Sequence, residues 1–249
     1  MNIQKFYNSI GWKKNQKVFE DAKLFEDLRK NSKEYVSKCR KRILRYIPKK
    51  GKNILDFASG PIQYPEYIKY SKNFKLRHCV DFSKLAIKVA KKKLGKKGKY
   101  YCNDFFKINF KKNYFDCILS LHTIYHIDKN LQLKAVNKLL KISKKKHPVI
   151  IIYSNPDTLL SKFKKIFTKK KEQRHHLYFF CHPITWWKKF KKNADVSIKP
   201  WRSFSSDHQK IIFPDNIIGK NLLKLLFFLE DKFEYLVYLI SVYIMILSI

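Results

Sequence analysis

Apolar and polar positions alternate along this chain with two different periods. Over the first fifty residues the apolar positions recur at helical spacing. Val18, Phe19, Leu24, Phe25 and Leu28 form one set, and Tyr35, Val36, Ile43, Leu44 and Ile47 form another. Both predict helices, ended by Pro48 and Gly51. From Asn53 onward, short apolar runs alternate with amphipathic stretches. Ile54 to Phe57, Arg77 to Asp81, Tyr100 to Asn103, Phe115 to Leu121 and Val149 to Tyr153 read as strands. Pro65 suits the first position of a helix. Ser83 is placed to cap another, with apolar face Leu85, Ala86, Val89, Ala90 and Leu94 and closure at Gly95. A further helix carries Leu131, Ala135, Val136, Leu139 and Leu140. Strands alternating with helices predict an α/β fold, a doubly wound and mostly parallel sheet covered on both faces.

The rhythm changes after residue 156. Residues 156–193 are basic and aromatic, with a helix expected through Trp186, Trp187 and Phe190. Val196 to Ile198 reads as a sixth strand, residues 202–234 as an inserted loop and helix, and Ile240 to Leu247 as a seventh, antiparallel strand. The apolar tail from Tyr235 to Ile249 falls short of the ~20 residues that a spanning helix needs and suits a buried strand.

Composition changes this picture in two places. With 55 basic and 19 acidic residues the formal net charge is +36, a value that points to RNA, DNA or an anionic membrane surface as partner. Yet only seven of the basic residues are arginine, the side chain whose fork reads phosphates and bases. The lysines are spread over the whole chain, and with Asn, Ile, Phe and Tyr they are what A/T-rich coding over-supplies. Charge alone therefore leaves nucleic acid as the alternative partner, with the basic run 162–171 its best support. Peripheral membrane contact, through Phe227, Phe228, Leu236 and Leu239 among lysines, is the other. The five cysteines show neither a CxxC nor any metal-ligand spacing. They indicate a reduced, cytoplasmic protein with no metal centre.

In a doubly wound sheet, ligands bind beyond the carboxyl ends of the strands. The first strand ends in Asp56-Phe57-Ala58-Ser59-Gly60-Pro61, the second in Asp81-Phe82, the third in Asn103-Asp104-Phe105 and the fourth in Ser120-Leu121-His122. A small-residue turn lets backbone approach a ligand. Carboxylates at the second and third strand ends can accept ribose hydroxyls and an adenine amino group, and Phe82 and Phe105 can flank an adenine ring.

This ordered set resembles the class I S-adenosylmethionine-dependent methyltransferases, which have a Rossmann-like fold. Leu55-Asp56-x-Ala58-x-Gly60 is similar to their first motif, Cys79-Val80-Asp81 to the second, Asn103-Asp104-Phe105 to the third, and Phe115 to His122, followed by Tyr125-His126, to the fourth. The resemblance implies S-adenosyl-L-methionine as cofactor. Asp56, Ala58, Ser59, Gly60 and Pro61 would wrap its methionine part, Asp81 would bind its ribose, and Asp104 and Phe105 its adenine, with Phe82, Asn103 and Ser120 alongside. It also implies a lid from helices in residues 1–50, over a domain at 51–249 with insertions at about 157–193 and 202–236. The family's loop reads Gly-x-Gly-x-Gly, whereas this chain has Ala58 and Ile62 at the outer positions, and Ile62 suggests that the loop leaves the pocket differently. A nicotinamide-binding protein would need Gly-x-Gly-x-x-Gly, which is absent.

Methyl transfer needs alignment of the nucleophile above all, and a base only where the acceptor sheds a proton. His122 is the candidate base. Tyr153 and Asn155, at the end of the fifth strand, are expected on the acceptor rim. His126, His182, Trp186 and Arg202 are expected to contribute an aromatic, anion-binding wall, in a cluster that also holds His175, His176, Tyr178, Trp201 and His208. The fourth-strand motif lacks the Asn-Pro-Pro-Tyr signature that grips a base amino group, so a small-molecule acceptor (a metabolite, sugar or lipid headgroup) is favoured over RNA.

Overall fold

In the computed structural model, which describes residues 3–159 and 177–248, seven strands form one sheet and two more form a separate small hairpin. In chain order the elements are a helical turn α1 (Ile3–Phe6), the hairpin strands β1 (Lys14–Asn15) and β2 (Val18–Phe19), and helices α2 (Glu20–Phe25) and α3 (Lys30–Arg42). Next come β3 (Gly51–Phe57), α4 (Pro65–Lys69), β4 (Phe74–Asp81), α5 (Lys84–Leu94), β5 (Gly98–Cys102), β6 (Cys117–Leu121), α6 (Lys129–Ile142) and β7 (Val149–Ser154). A 3₁₀ segment (Ile184–Lys192) precedes β8 (Val196–Arg202), α7 (Ser206–Ile212), α8 (Ile217–Lys232), a turn α9 (Leu236–Leu239) and β9 (Tyr243–Ser248).

The sheet order is β5-β4-β3-β6-β7-β9-β8. The first five of these strands run parallel. β9 is antiparallel to both β7 and β8, which it separates. The chain winds outward from β3 to β5, then restarts at β6 on the other side of β3. The crevice between β3 and β6 is thus the topological switch point, where such sheets bind ligands.

Alternation along the central strands builds two cores. Leu55, Phe57, Ile118, Val149 and Ile151 face α6 and the Trp186, Trp187 and Phe190 side of the 3₁₀ segment. Ile54, Cys117, Leu119, Ile150 and Ile152 face Tyr35, Val36, Cys39 and Ile43 of α3 and its extension, and Leu223 and Leu226 of α8. These strands are apolar on both faces because helices cover both, so the period of two is invisible in their hydropathy. Capping follows the sequence reading: Ser83 Oγ accepts the Ala86 N–H, and Gly95 closes α5 with φ +53°.

One expectation is revised. Val18 and Phe19, assigned by spacing to a helix, lie in a hairpin strand, turned at Gln16 with φ +56°. Within residues 1–50, α3 packs against the sheet's core and lends Val36 and Arg40 to the ligand crevice, which the segment before it also reaches. Among the described residues no helix is long and apolar enough to cross a membrane. Of the residues named for membrane contact, Phe228 and Leu239 are exposed, while Phe227 is half-buried beneath the Arg42 guanidinium. The run 162–171, with His175 and His176, lies outside the described residues.

Candidate active site

The loop after β3 carries the clearest local signal. Ala58, Gly60 and Ile62 all have left-handed backbone, with φ of +55°, +54° and +50°. These are the three positions at which the resembling family places glycine. The loop thus takes a glycine-type conformation with one glycine in it. A β-branched residue rarely tolerates such a φ. Burial offsets the strain at Ile62, whose side chain is fully enclosed beside Cys79 and Ala90. At Gly60 a Cβ would also stand 3.1 Å from the Trp12 indole, which would have to give way by a few tenths of an ångström.

Two carboxylates underlie this loop and are held differently. Asp56 is buried against Arg77, whose Nε donates to Oδ2 at 3.2 Å, with a second, shorter bond from the same guanidinium. Arg77 itself is 1% exposed. Asp81, at the end of β4, accepts the Gly60 N–H on Oδ2 at 2.9 Å and the Ser83 N–H on Oδ1 at 2.8 Å. Burial pushes its pKa up to about 6, held back by these two bonds and raised further by Asp56. Each Asp81 oxygen keeps a second lone pair, enough to accept two hydroxyls.

One cavity of about 1030 Å³ runs over these strand ends. Its floor includes Asp56, Ala58, Ser59, Gly60, Pro61, Asp81, Phe82, Asn103, Asp104 and Phe105, so ten of the eleven expected cofactor positions line one space. The eleventh, Ser120, is fully buried inside β6, its hydroxyl without a partner. Phe105 is mostly committed to the core, stacked on Phe57 at 4.2 Å. Asp104 is exposed and caps the following turn by accepting the Phe106 N–H at 2.9 Å.

The N-terminal segment covers this floor, which the sequence motifs did not locate. Trp12 lies over Gly60 and stacks on Tyr7 with ring centroids 4.7 Å apart, and its indole N–H is buried without a partner among the described residues. Asp21 lies beside Tyr7 and Gln63, and burial, with the charge of Glu26 adding to it, pushes its pKa up to about 7. Glu26 pairs with Arg40 of α3 at 2.8 Å and accepts the Tyr64 hydroxyl, tying this segment to α3 and α4. Spacing could not reveal these contacts, since Trp12 and Gly60 are far apart in sequence.

The other end of the cavity is aromatic and basic. His122 has φ +59° and its Nδ1 lies 3.1 Å from the Tyr125 hydroxyl. Its ring meets Trp201 at 4.7 Å and Tyr243 at 5.2 Å, edge to face. Burial first, then the charges of Arg202 and Arg40 and the nearby His126, hold its pKa well below 6.5, so the imidazole is neutral near pH 7. His126 and Arg202 also line this end. Four other expected acceptor residues lie elsewhere. Tyr153 is fully buried, donating to Gln132 at 3.1 Å and accepting the His182 N–H at 2.8 Å. Asn155 fixes the β7 exit by donating to Ser241 O at 3.0 Å. His182 and Trp186 stack on one another at 4.4 Å behind α6. Their aromatic character serves packing, which composition cannot distinguish from a binding wall.

Comparison with known proteins agrees with this geometry. Residues 55–146 match the model of a family described as a methyltransferase domain. No curated protein sequence matches the chain. Among solved structures, the chain is similar to a SAM-dependent methyltransferase from Archaeoglobus fulgidus (15% identity, TM-score 0.57, 87% of this chain and 93% of that one). It is similar also to Haemonchus contortus phosphoethanolamine N-methyltransferase 2 in complex with S-adenosyl-L-methionine (16%, TM-score 0.55, 86% of this chain and 52% of that one). A third likeness is to the N-methyltransferase NodS of Bradyrhizobium japonicum (12%, TM-score 0.54, 72% and 93%). At these identities the structural likeness is one of fold.

Proposed function

We propose a function from one premise: the chain carries a class I S-adenosylmethionine-dependent methyltransferase domain and is an enzyme using that cofactor. On our reading the acceptor is a small molecule, bound between the covered loop and the wall of His122, Trp201, Arg202 and Tyr243. The observation that carries this is the single cavity joining the Ala58–Gly60–Ile62 loop and Asp81 to that wall.

The residues fit the cofactor. The unpartnered Trp12 N–H above Gly60 is a donor awaiting an acceptor, and Asp81 retains lone pairs at the adjoining strand end. Asp56 to Pro61 with Trp12 would hold the methionine part, Asp81 the ribose, and Phe82, Asn103 and Asp104 the adenine. When bound, the cofactor supplies a methyl group on a positively charged sulfur.

The chain supplies alignment and proton handling. Tyr7 and Trp12 act as a lid, keeping water from the loop. Tyr125 fixes the His122 ring through Nδ1, which leaves Nε2 for the acceptor. With Nδ1–H donating to the Tyr125 hydroxyl, the neutral His122 imidazole would accept the acceptor's proton on Nε2.

Calorimetric binding of S-adenosylhomocysteine is the test, with wild type beside Asp81→Ala. The reading expects binding by the wild type and a loss of at least about tenfold in the variant. With an acceptor found by methyl-label screening, His122→Gln should bind the cofactor normally yet lose about 10²–10⁴ in kcat. A wild type that binds no cofactor analogue overturns the reading.

A further inference from the structure

Six of the seven arginines lie among the described residues, and five of these hold a carboxylate. Arg29 pairs with Asp27, Arg40 with Glu26, Arg42 with Glu230 and Asp231, Arg45 with Asp231, and Arg77 with Asp56. Arg202 is the exception: among the described residues its guanidinium has neither an ion pair nor a hydrogen bond. It is also 6% exposed, and its Nε–H is sealed from solvent with no acceptor. Glu230, which binds the neighbouring Ser203, is engaged by other partners and makes no ion pair with Arg202. Its Oε1 accepts the Tyr35 hydroxyl at 2.6 Å and the Ser203 N–H at 2.7 Å, and its Oε2 accepts from Arg42 at 3.1 Å.

A buried guanidinium without a counter-charge costs several kcal/mol. A fold that pairs its other described arginines therefore leaves this one unpaired at a definite place. Arg202 ends β8, where the register with β9 shifts between Pro200 and Arg202. Such irregularities re-aim a side chain, and this one puts Arg202 on the cavity wall. The guanidinium sits 4.6 Å from the Tyr243 ring centroid and 5.5 Å from that of Trp201. His122 meets both of these rings as well, so the cation and the neutral imidazole flank one spot.

We infer that the acceptor carries an oxyanion, a phosphate or a carboxylate, and that Arg202 binds it. The anion takes the place that a carboxylate side chain takes on the other arginines, through the same planar fork. It orients the acceptor so that its nucleophilic atom lies on the His122 side of Trp201 and Tyr243. This inference rests on the methyltransferase reading and narrows its substrate class.

The experiment uses the full chain saturated with S-adenosylhomocysteine. Inorganic phosphate and acetate are titrated separately, while the Arg202 Nε–H and Trp201 indole N–H resonances are followed by ¹⁵N–¹H correlation. Anions collecting on surface lysines leave these two buried signals unmoved. Saturable movement with phosphate, or with acetate, is the expected result, and the probe that binds tighter identifies the group. In Arg202→Gln the response of Trp201 should weaken by at least about tenfold in affinity, while Arg202→Lys, which keeps the charge, should retain part of it. If neither probe moves either signal in the cofactor-loaded wild type, the inference is overturned and the methyltransferase reading stands. Anion affinity equal to wild type in Arg202→Gln overturns it too. A wild type that takes up no S-adenosylhomocysteine overturns the reading beneath it.

Discussion

Ala58 and Ile62 share a left-handed backbone but not a fate on substitution. Ala58→Gly removes a Cβ from a conformation that penalises it, and should stabilise the protein by about 1 kcal/mol, read as a higher urea midpoint at unchanged slope. Ile62→Gly relieves the same strain but empties a fully buried site, so a net loss of roughly 2–4 kcal/mol is expected. Asp81 carries a pH dependence of definite sign. Its folded pKa of about 6 lies above its ordinary 3.8. Its contribution to the stability of the ligand-free protein is therefore fully present below 3.8 and lost as pH rises through about 6. Its ability to accept hydroxyls runs the other way. Cofactor affinity, measured by calorimetry on either side of pH 6, should fall on the acid side.

Among the elements, β3 and β4 are joined across their shared face by the Asp56–Arg77 pair. Both partners are almost wholly enclosed, so the pair is safe only while intact. Arg77→Leu leaves Asp56 buried and uncompensated and should cost about 3–5 kcal/mol in urea unfolding. The reading of Asp56 as a bare cofactor ligand missed this partner, because Arg77 looked like the polar start of a strand. Elements were most legible where local chemistry was strong, as at Ser83 and Gly95 around α5. They were least legible in the first twenty residues, where the aromatics follow tertiary contacts with the loop rather than a helical period.

For the whole molecule, a charge of +36 on lysines spread along the chain should bind polyanions without preference. RNA, DNA and heparin are expected to bind alike in a fluorescence titration, each weakening steeply with salt. A marked preference for one RNA, surviving at high salt, would instead favour the nucleic-acid alternative. The sequence by itself determined the alternation of strands and helices and the ligand-facing strand ends. Burial on both faces and small-residue turns are local requirements, written into consecutive residues. Only the tertiary structure decided what covers the loop, which carboxylate is already paired, and which aromatics wall the cavity rather than fill the core. It also decided that Arg202 stands without a carboxylate among the described residues. Each of these depends on residues brought together from distant parts of the chain, and whether a buried charge is compensated is a property of its surroundings, not of its residue type.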